Sequence, residues 1–307
     1  MAIVPMISVI IPHLNEPDEL RRCLASLVAQ RTTDIPCEII VVDNGSAQPP
    51  TGVCADFDGV KLEVELVPGP GPARNRGAAV AQGEILAFID CDCIAGSRWI
   101  EYIVSFFARN PDVDFVGGDI RIQPAQPERL TAIEAYESVF SYRNDRYVTE
   151  YAFSATGNMA VRAKVFAAVG PFGGIGTMED TDWGMKASAE GYRIAYLDEA
   201  KVYTPPCASL GELLVRWDRH VAHEFRKLGP HVADNLMWAL KSVAVALSPL
   251  AETITVFRTR RIRTLRARVL AFAVLVCVRL HRARRMIGFL LSDNTSSTVG
   301  KWNRENT

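Results

Sequence analysis

The chain has 307 residues, 49% hydrophobic and 22% charged, with a formal net charge of -1. That length allows one or two domains with a large core, and the composition excludes a disordered chain. The near-neutral total hides an asymmetry: residues 258–285 carry ten Arg and no acid, leaving about -11 (-1 minus 10) on the rest. The seven Cys are an odd number whose spacing gives neither a disulfide framework nor a paired C-x-x-C, so reduced thiols in a cytosolic setting are expected. Cys91 and Cys93 read as small buried residues beside a strand end, one such pair being a weak metal signal. No basic region precedes the first apolar run, and that run is only a strand's length, so no signal peptide is expected.

Ile7–Ile11 reads as a buried strand ended by Pro12. Asn15-Glu16-Pro17-Asp18-Glu19 then resembles a helix start, with a cap candidate, an early Pro and acids at the positive dipole end; Leu20, Leu24, Leu27 and Val28 form its apolar face. Glu38–Val42 is a second strand, stopping at the turn Asp43-Asn44-Gly45-Ser46. Leu62, Val64 and Leu66 alternate with charges in a more exposed third strand. Pro68-Gly69-Pro70-Gly71-Pro72 is expected to be irregular, with a short helix opening at Ala73-Arg74-Asn75-Arg76-Gly77. A helix N-terminus with Arg beside it suits a phosphate, although the prolines remove donors that a backbone cradle would use.

The run Ile85-Leu86-Ala87-Phe88-Ile89 is a strand buried on both faces, and it stops at Asp90-Cys91-Asp92. Two carboxylates at that edge lie where open α/β sheets bind ligands, and their oxygens suit a hard divalent cation shared with phosphate; an Asx-rich turn is the plainer alternative. A helix over Trp99–Phe107 and a strand over Val113–Val116, ending in Gly117-Gly118-Asp119, come next. Residues 124–151 read as an amphipathic helix and a surface loop, or as a mobile acceptor-facing segment. Ala155–Val161 is strand-like, and the Gly-rich stretch 170–176 is a flexible loop. Asp180 begins a helix with Trp183, Met185 and Ala189 on its core face, and capping alone would account for Glu179, Asp180 and Asp182. Arg193–Leu197 is one more strand. Strands alternating with helices at this spacing predict an α/β fold with a doubly wound, mostly parallel sheet.

Taken in order, these pieces resemble the family-2 glycosyltransferases of the GT-A fold. The resemblance rests on Ile10-Ile11-Pro12-His13-Leu14-Asn15-Glu16, Ile40-Val41-Val42-Asp43-Asn44-Gly45-Ser46, Ala73-Arg74-Asn75-Arg76-Gly77 and Ala87-Phe88-Ile89-Asp90-Cys91-Asp92. It continues through Thr156-Gly157-Asn158, Glu179-Asp180-Thr181-Asp182 and Glu190-Gly191-Tyr192-Arg193-Ile194, covering roughly residues 6–204. It implies sugar transfer from a nucleotide diphosphate donor, a UDP-sugar by family habit, with inversion at the anomeric carbon and a Mg²⁺ or Mn²⁺ cofactor. Carried onto the matching positions, Pro12, Leu14, Asn15, Glu16 and Asp43 would hold base and ribose, and Arg74 would lie near the nucleotide. Asp90 would meet the ribose and, with Asp92, the metal of a DxD motif. Gly157 and Asn158 would line the donor sugar; Asp180 would be the general base, with Glu179 beside it. The residue types suit the reaction independently: a cation neutralises the leaving diphosphate, and one carboxylate takes the acceptor hydroxyl's proton. Two departures stand out. Thr204 occupies the position where many relatives carry a His, leaving His220 or His223 as substitute ligands. Leu213-Leu214-Val215-Arg216-Trp217 keeps Arg-Trp without the Gln of polymerising members, so a single addition is expected.

A change of character after Pro205-Pro206 predicts two domains, a catalytic one over 1–205 and a helical, Arg-rich one over 206–307. Glu212–Leu228 reads as a helix serving as lid, acceptor wall or plain core packing. Leu236–Phe257 is apolar but interrupted by Lys241, Pro249 and Glu252, and Val269–Val278 is apolar yet too short to span a bilayer. Apolar runs alternating with Arg over 258–285 suit a helix in the headgroup region of an anionic membrane, with a spanning hairpin as a variant. A buried helical or oligomerisation element is the other reading, and nucleic acid is not expected because aromatic interleaving is sparse. The expected protein is a peripheral enzyme on the cytoplasmic face of the membrane with a lipid-linked acceptor, in surface polysaccharide or glycolipid assembly. A soluble glycosyltransferase on a small molecule or protein, and a non-catalytic nucleotide-sugar-binding or scaffold protein, are the alternatives. No Gly-rich loop with a Lys follows the first strand, which disfavours nucleotidyl transfer.

Overall fold

A computed structural model describes residues 6–32, 34–229 and 231–291. The signal-peptide expectation and the outer bounds of both expected domains lie outside these residues. The described residues form two compact units, one of 6–121 with 142–204 and one of 122–141 with 205–291. In chain order the first unit begins with β1 (Ile7–His13), α1 (Pro17–Val28), β2 (Cys37–Asp43), α2 (Thr51–Ala55), β3 (Val60–Val64), α3 (Pro70–Val80), β4 (Ile85–Ile89), β5 (Ile94–Ala95), α4 (Trp99–Arg109) and β6 (Phe115–Ile122). Helix α5 (Ala132–Phe140) belongs to the second unit. The chain returns to the first with α6 (Asn144–Tyr151), β7 (Asn158–Arg162), α7 (Ala163–Val169), α8 (Glu179–Ala189) and β8 (Ile194–Thr204). Helices α9 (Leu210–Arg226), α10 (Val232–Arg258) and α11 (Leu265–Leu291) complete the second.

The first unit has the expected mixed α/β architecture. Its sheet runs β3-β2-β1-β4-β7-β6-β8-β5. The β3, β2, β1 and β4 ladders are parallel, and β7 then pairs antiparallel with both β4 and β6. The apolar runs of β4 and, apart from Ser8, of β1 follow from burial on both faces. Ile7, Val9, Ile11, Ala87 and Ile89 enter one core, while Ile10, Leu86 and Phe88 enter the other. Because β2 lies on one side of β1 and β4 on the other, the connections diverge there, and a crevice opens at the carboxyl ends of these strands. Helix α3 closes that crevice from one side. It lies close on the sheet because residue 77 is Gly: a Cβ there would meet Ile10 Cγ2 at 2.4 Å and Val42 Cγ2 at 3.2 Å.

Several local expectations are corrected. The Pro/Gly stretch is not wholly irregular, since α3 starts at Pro70; Pro70 and Pro72 sit in a first turn, where a missing N–H costs nothing. Strand β3 stops at Val64 and leaves Leu66 75% exposed outside it. Strand β6 does not end at Gly117 but runs on to Ile122, its glycines letting neighbours close in: a Cβ at 118 would meet Asn158 Nδ2 at 2.3 Å. Residues 124–151 hold two helices rather than one helix and a loop, α5 starting in a capping box made by Thr131 and Glu134. On α8 the buried residues are Trp183, Gly184 and Ala187, while Met185 is 54% exposed and Ala189 is also exposed. Met185 stands two residues, about 200°, from Trp183 and Ala187 and so falls on the opposite side of the helix.

In the second unit α11 is one 27-residue helix, so Val269–Val278 is the middle of a longer element. Its Ala271, Leu275 and Val278 pack with Tyr136 and Val139 of α5, Leu213 of α9 and Val256 of α10. The basic tract is therefore partly internal: Arg279 pairs with Glu252 (2.6 Å), Arg285 with Asp218 (3.1 Å), and Arg282 lies over the Trp217 ring at 4.3 Å. Among the described residues, helix α10 is the one long and apolar enough to cross a bilayer, and its apolar window is only 17% buried.

Candidate functional site

Two cavities open at the carboxyl ends of the first unit's strands, and Arg74 and Asp90 line both. The first, of about 140 Å³, is bounded by Pro12 near the end of β1, Leu14 and Glu16 after it, Asn44 after β2, and Asp92. The second, of about 150 Å³, is bounded by Cys93, Gly157, Glu179, Asp180 and Thr204. Nine of the residues singled out in the sequence thus line one cavity or the other: Pro12, Leu14, Glu16, Arg74, Asp90 and Asp92, with Gly157, Glu179 and Asp180.

The remaining three hold the frame. Asn15 adopts φ 56°, which Asn tolerates, and ties two loops together: its N–H donates to Ser46 Oγ (2.8 Å) and its Oδ1 accepts from the Ala47 N–H (2.9 Å). Asp43 is buried, accepting from Ser46 Oγ (2.5 Å) and lying 3.1 Å from His13 Nδ1. Asn158 lines neither of these cavities. Its Oδ1 accepts from Trp99 Nε1 (2.9 Å), and its Nδ2 donates to the carbonyls of Asp119 (2.9 Å) and Ala200 (2.8 Å), so its amide is committed to the sheet. Gly157 instead makes room beside the site, because a Cβ there would stand 2.8 Å from Asp90 Oδ2.

Arg74, projecting from α3 and only 3% exposed, joins the two halves. Its Nη2 donates to Asp90 Oδ1 (2.6 Å) at the end of β4, and its Nη1 to Glu179 Oε1 (3.1 Å) at the start of α8. Its Nε is buried with no hydrogen-bond partner, an uncommon state for a guanidinium donor. Burial, and then the Glu179 charge, raise the Asp180 carboxyl to about 6. Asp180 accepts from the Thr181 N–H (2.7 Å) and stands in the first turn of α8, where the helix dipole favours an anion. Burial, with Asp90 next, raises Asp92 to about 7. Carboxylates crowded together in this way invite a cation.

Among the described residues one grouping of His, Cys and carboxylates has metal-binding geometry: ligand atoms of Asp90, Asp92 and Cys93 lie within 4.8 Å of one another. Neither His220 nor His223 joins it; both belong to α9, where burial and neighbouring Arg side chains push His220 down to about 3. Thr204 lines the second cavity itself. Sequence reasoning set Cys93 aside because a Cys pair one residue apart was the only available signal. The pair is in fact divided: the Cys91 thiol donates to Glu16 Oε2 (3.1 Å) beside the first cavity, and the Cys93 thiol to Asp92 Oδ1 (3.3 Å) beside the second.

Residues 8–170 match the family described as glycosyl transferase family 2. The chain is 31% identical over 222 residues to the glycosyltransferase AglE of Haloferax volcanii, covering 69% of this chain and 70% of that one. It is 30% identical over 177 residues to an uncharacterised glycosyltransferase of a Nostoc species, the match spanning 54% of this chain and about half (53%) of that relative. Among solved structures it shares its fold with the mannosyltransferase PcManGT of Pyrobaculum calidifontis, determined with GDP-Man and Mn²⁺. The TM-score is 0.63 at 17% identity, over 95% of this chain and 89% of that one.

Proposed function

The chain belongs to glycosyl transferase family 2, and from that premise we propose that it moves one sugar, with inversion, from a nucleotide diphosphate donor to an acceptor hydroxyl. The observation that carries this reading is the pair of cavities meeting at Arg74 and Asp90, one bounded by the post-β1 loop and the other by Asp180. Base and ribose occupy the first, beside Pro12, Leu14 and Glu16, and the donor sugar lies toward Gly157 in the second. Asn15 and Asp43 hold the nucleotide loops in place, and Asn158 positions the strand behind the sugar. Asp180 removes the acceptor hydroxyl's proton; a carboxyl raised toward neutrality is suited to that work. Glu179, held by Arg74, keeps a second negative charge beside the base. With one base and no covalent nucleophile, a single displacement inverts the anomeric centre.

Asp90 and Asp92 would hold a Mg²⁺ or Mn²⁺, which supplies positive charge to the departing diphosphate. UDP is the proposed nucleotide, and GDP is the second candidate because the fold neighbour carries GDP-Man with Mn²⁺. We further propose a lipid-linked acceptor and a peripheral position on the cytoplasmic face of the membrane. The exposed apolar surface of α10 and the exposed Arg258, Arg260, Arg263 and Arg266 support that placement. The domain assignment carries over as a catalytic part ending near residue 205 and a helical part for membrane and acceptor.

The test is thermal unfolding with UDP- and GDP-sugars, with Mg²⁺, Mn²⁺ or chelator, followed by transfer assays. Stabilisation by a nucleotide sugar that chelator abolishes is expected, and stabilisation indifferent to chelator would refute the metal role. Asp92→Ala is expected to lose donor binding and transfer, and Asp180→Ala to lose transfer alone. Donor binding lost in both would undo the division of roles.

A further inference from the structure

Resting on the metal reading above, we propose that Cys93 is the third protein ligand of that site. It takes the place of an imidazole at residue 204 and biases the site toward a cation that accepts sulfur, such as Mn²⁺, Co²⁺ or Zn²⁺, over Mg²⁺. Three independent observations converge. The Cys93 Sγ belongs to the grouping with Asp90 and Asp92 in which every ligand atom lies within 4.8 Å of the others. Thr204, where an imidazole was expected, lines the same cavity as Cys93 and Asp90. Cys91, the other thiol of the pair, is engaged elsewhere, with Glu16.

The spacing of Cys93 and Asp92 is suitable as it stands. Metal–oxygen bonds of about 2.1 Å and metal–sulfur bonds of about 2.3 Å put neighbouring O and S ligands roughly 3.1 Å apart at a right angle and roughly 3.6 Å apart at the tetrahedral angle. Cys93 Sγ and Asp92 Oδ1 are 3.3 Å apart, inside that interval. The thiol hydrogen bond to Asp92 therefore keeps these two atoms at a separation that fits a bound cation. On binding, the sulfur–hydrogen bond gives way to a sulfur–metal bond and the proton passes to solvent. A thiolate in the donor set discriminates against Mg²⁺, which prefers oxygen ligands and retains its water. Cys93 is only 3% exposed: it packs in the buried core and lines the second cavity at its edge.

The experiment titrates Co²⁺ into the full-length protein with UDP and follows absorption. Wild type is expected to develop the intense thiolate-to-cobalt charge-transfer band. Cys91→Ser is expected to keep it. Cys93→Ser is expected to lose it, to bind Co²⁺ at least about tenfold more weakly and to narrow the preference for Mn²⁺ over Mg²⁺. The wild-type spectrum tests ligation without any variant, and circular dichroism of Cys93→Ser checks that its fold is intact. Co²⁺ bound without the band in wild type, or the band surviving in Cys93→Ser, overturns the role of Cys93 and leaves the Asp90–Asp92 reading intact. Failure of wild type to bind Co²⁺ with nucleotide, or unaltered binding in Asp92→Asn, overturns the metal reading itself.

Discussion

Arg74 owes its position at the centre of the site to being a guanidinium rather than simply a cation. Its fork reaches Asp90 and Glu179 at once from a buried stem, a geometry that a Lys ammonium does not reproduce. The two carboxylates it holds come from the end of β4 and the start of α8, so one side chain ties the two cavities together. Gly157 protects that arrangement. In Gly157→Ala the added Cβ would press on Asp90 Oδ2 at 2.8 Å. Because that atom ends a half-exposed side chain, the carboxylate swings aside rather than the sheet distorting. Donor affinity is expected to fall roughly tenfold, about 1.4 kcal/mol, with the unfolding midpoint nearly unchanged; calorimetric titration and a melting curve check both. The raised Asp180 carboxyl makes a second prediction. A base works ionised, so transfer is expected to rise with pH through about 6, and Asp180→Asn to remove that limb with kcat down roughly 10²–10⁴-fold. Since the fold disfavours the ionised form, Asp180 costs stability above that pH, and Asp180→Asn is expected to melt at a higher temperature there.

At the scale of elements, α3 both packs on the sheet and carries Arg74. Its closeness to β1 and β2 depends on Gly77, one turn beyond Arg74. Gly77→Ala would drive a Cβ into Ile10 Cγ2, in a core where neither partner can retreat into solvent. A cost of about 1–3 kcal/mol is expected from overpacking, read from denaturant unfolding. Donor binding should weaken with it as α3 is pushed outward, unlike the Gly157 variant, where binding falls alone. Helix α8 shows the same coupling of structure and site. Trp183 and Ala187 anchor it in the core beside Phe166 and Phe172, and that burial fixes Glu179 and Asp180 at its mouth.

At the scale of the whole molecule, the helical unit is organised differently from a tail laid on lipid. The α11 stripe is used internally against α5, α9 and α10, whereas α10 exposes Leu236, Leu240, Leu247 and Ile254 at helical spacing. Membrane contact is therefore expected through α10, with the exposed Arg258 at its end and the exposed Arg260, Arg263 and Arg266 following it. The triple variant Leu240→Ser, Leu247→Ser, Ile254→Ser of the full chain removes only exposed side chains. It is expected to fold normally and to lose most of its co-sedimentation with anionic vesicles, each buried Leu or Ile being worth about 1.5–3 kcal/mol. Undiminished binding would rule out this face.

The sequence alone determined the strand–turn pattern of β2 and β4, the existence of β1 though not its run through Pro12 to His13, and the identity of the carboxylates at or just beyond the ends of these strands. These rest on local signals: apolar runs report burial on two faces, and a strand's carboxyl end is a fixed place in an open α/β sheet. It also supplied Arg74, Glu179 and Asp180 through motif order. Tertiary structure alone decided which of these meet. Arg74 and Glu179 are separated by 105 positions and joined by one hydrogen bond, a contact that no local pattern encodes. Likewise α5 joins the helical unit although its sequence neighbours lie in the other, so the partner that buries α11 could not be read from α11's own periodicity. Cys93 is a mixed instance: it stands beside Asp90 and Asp92 in the sequence itself, and what the fold adds is Thr204, brought from the end of β8 to the cavity that Asp90 and Cys93 line.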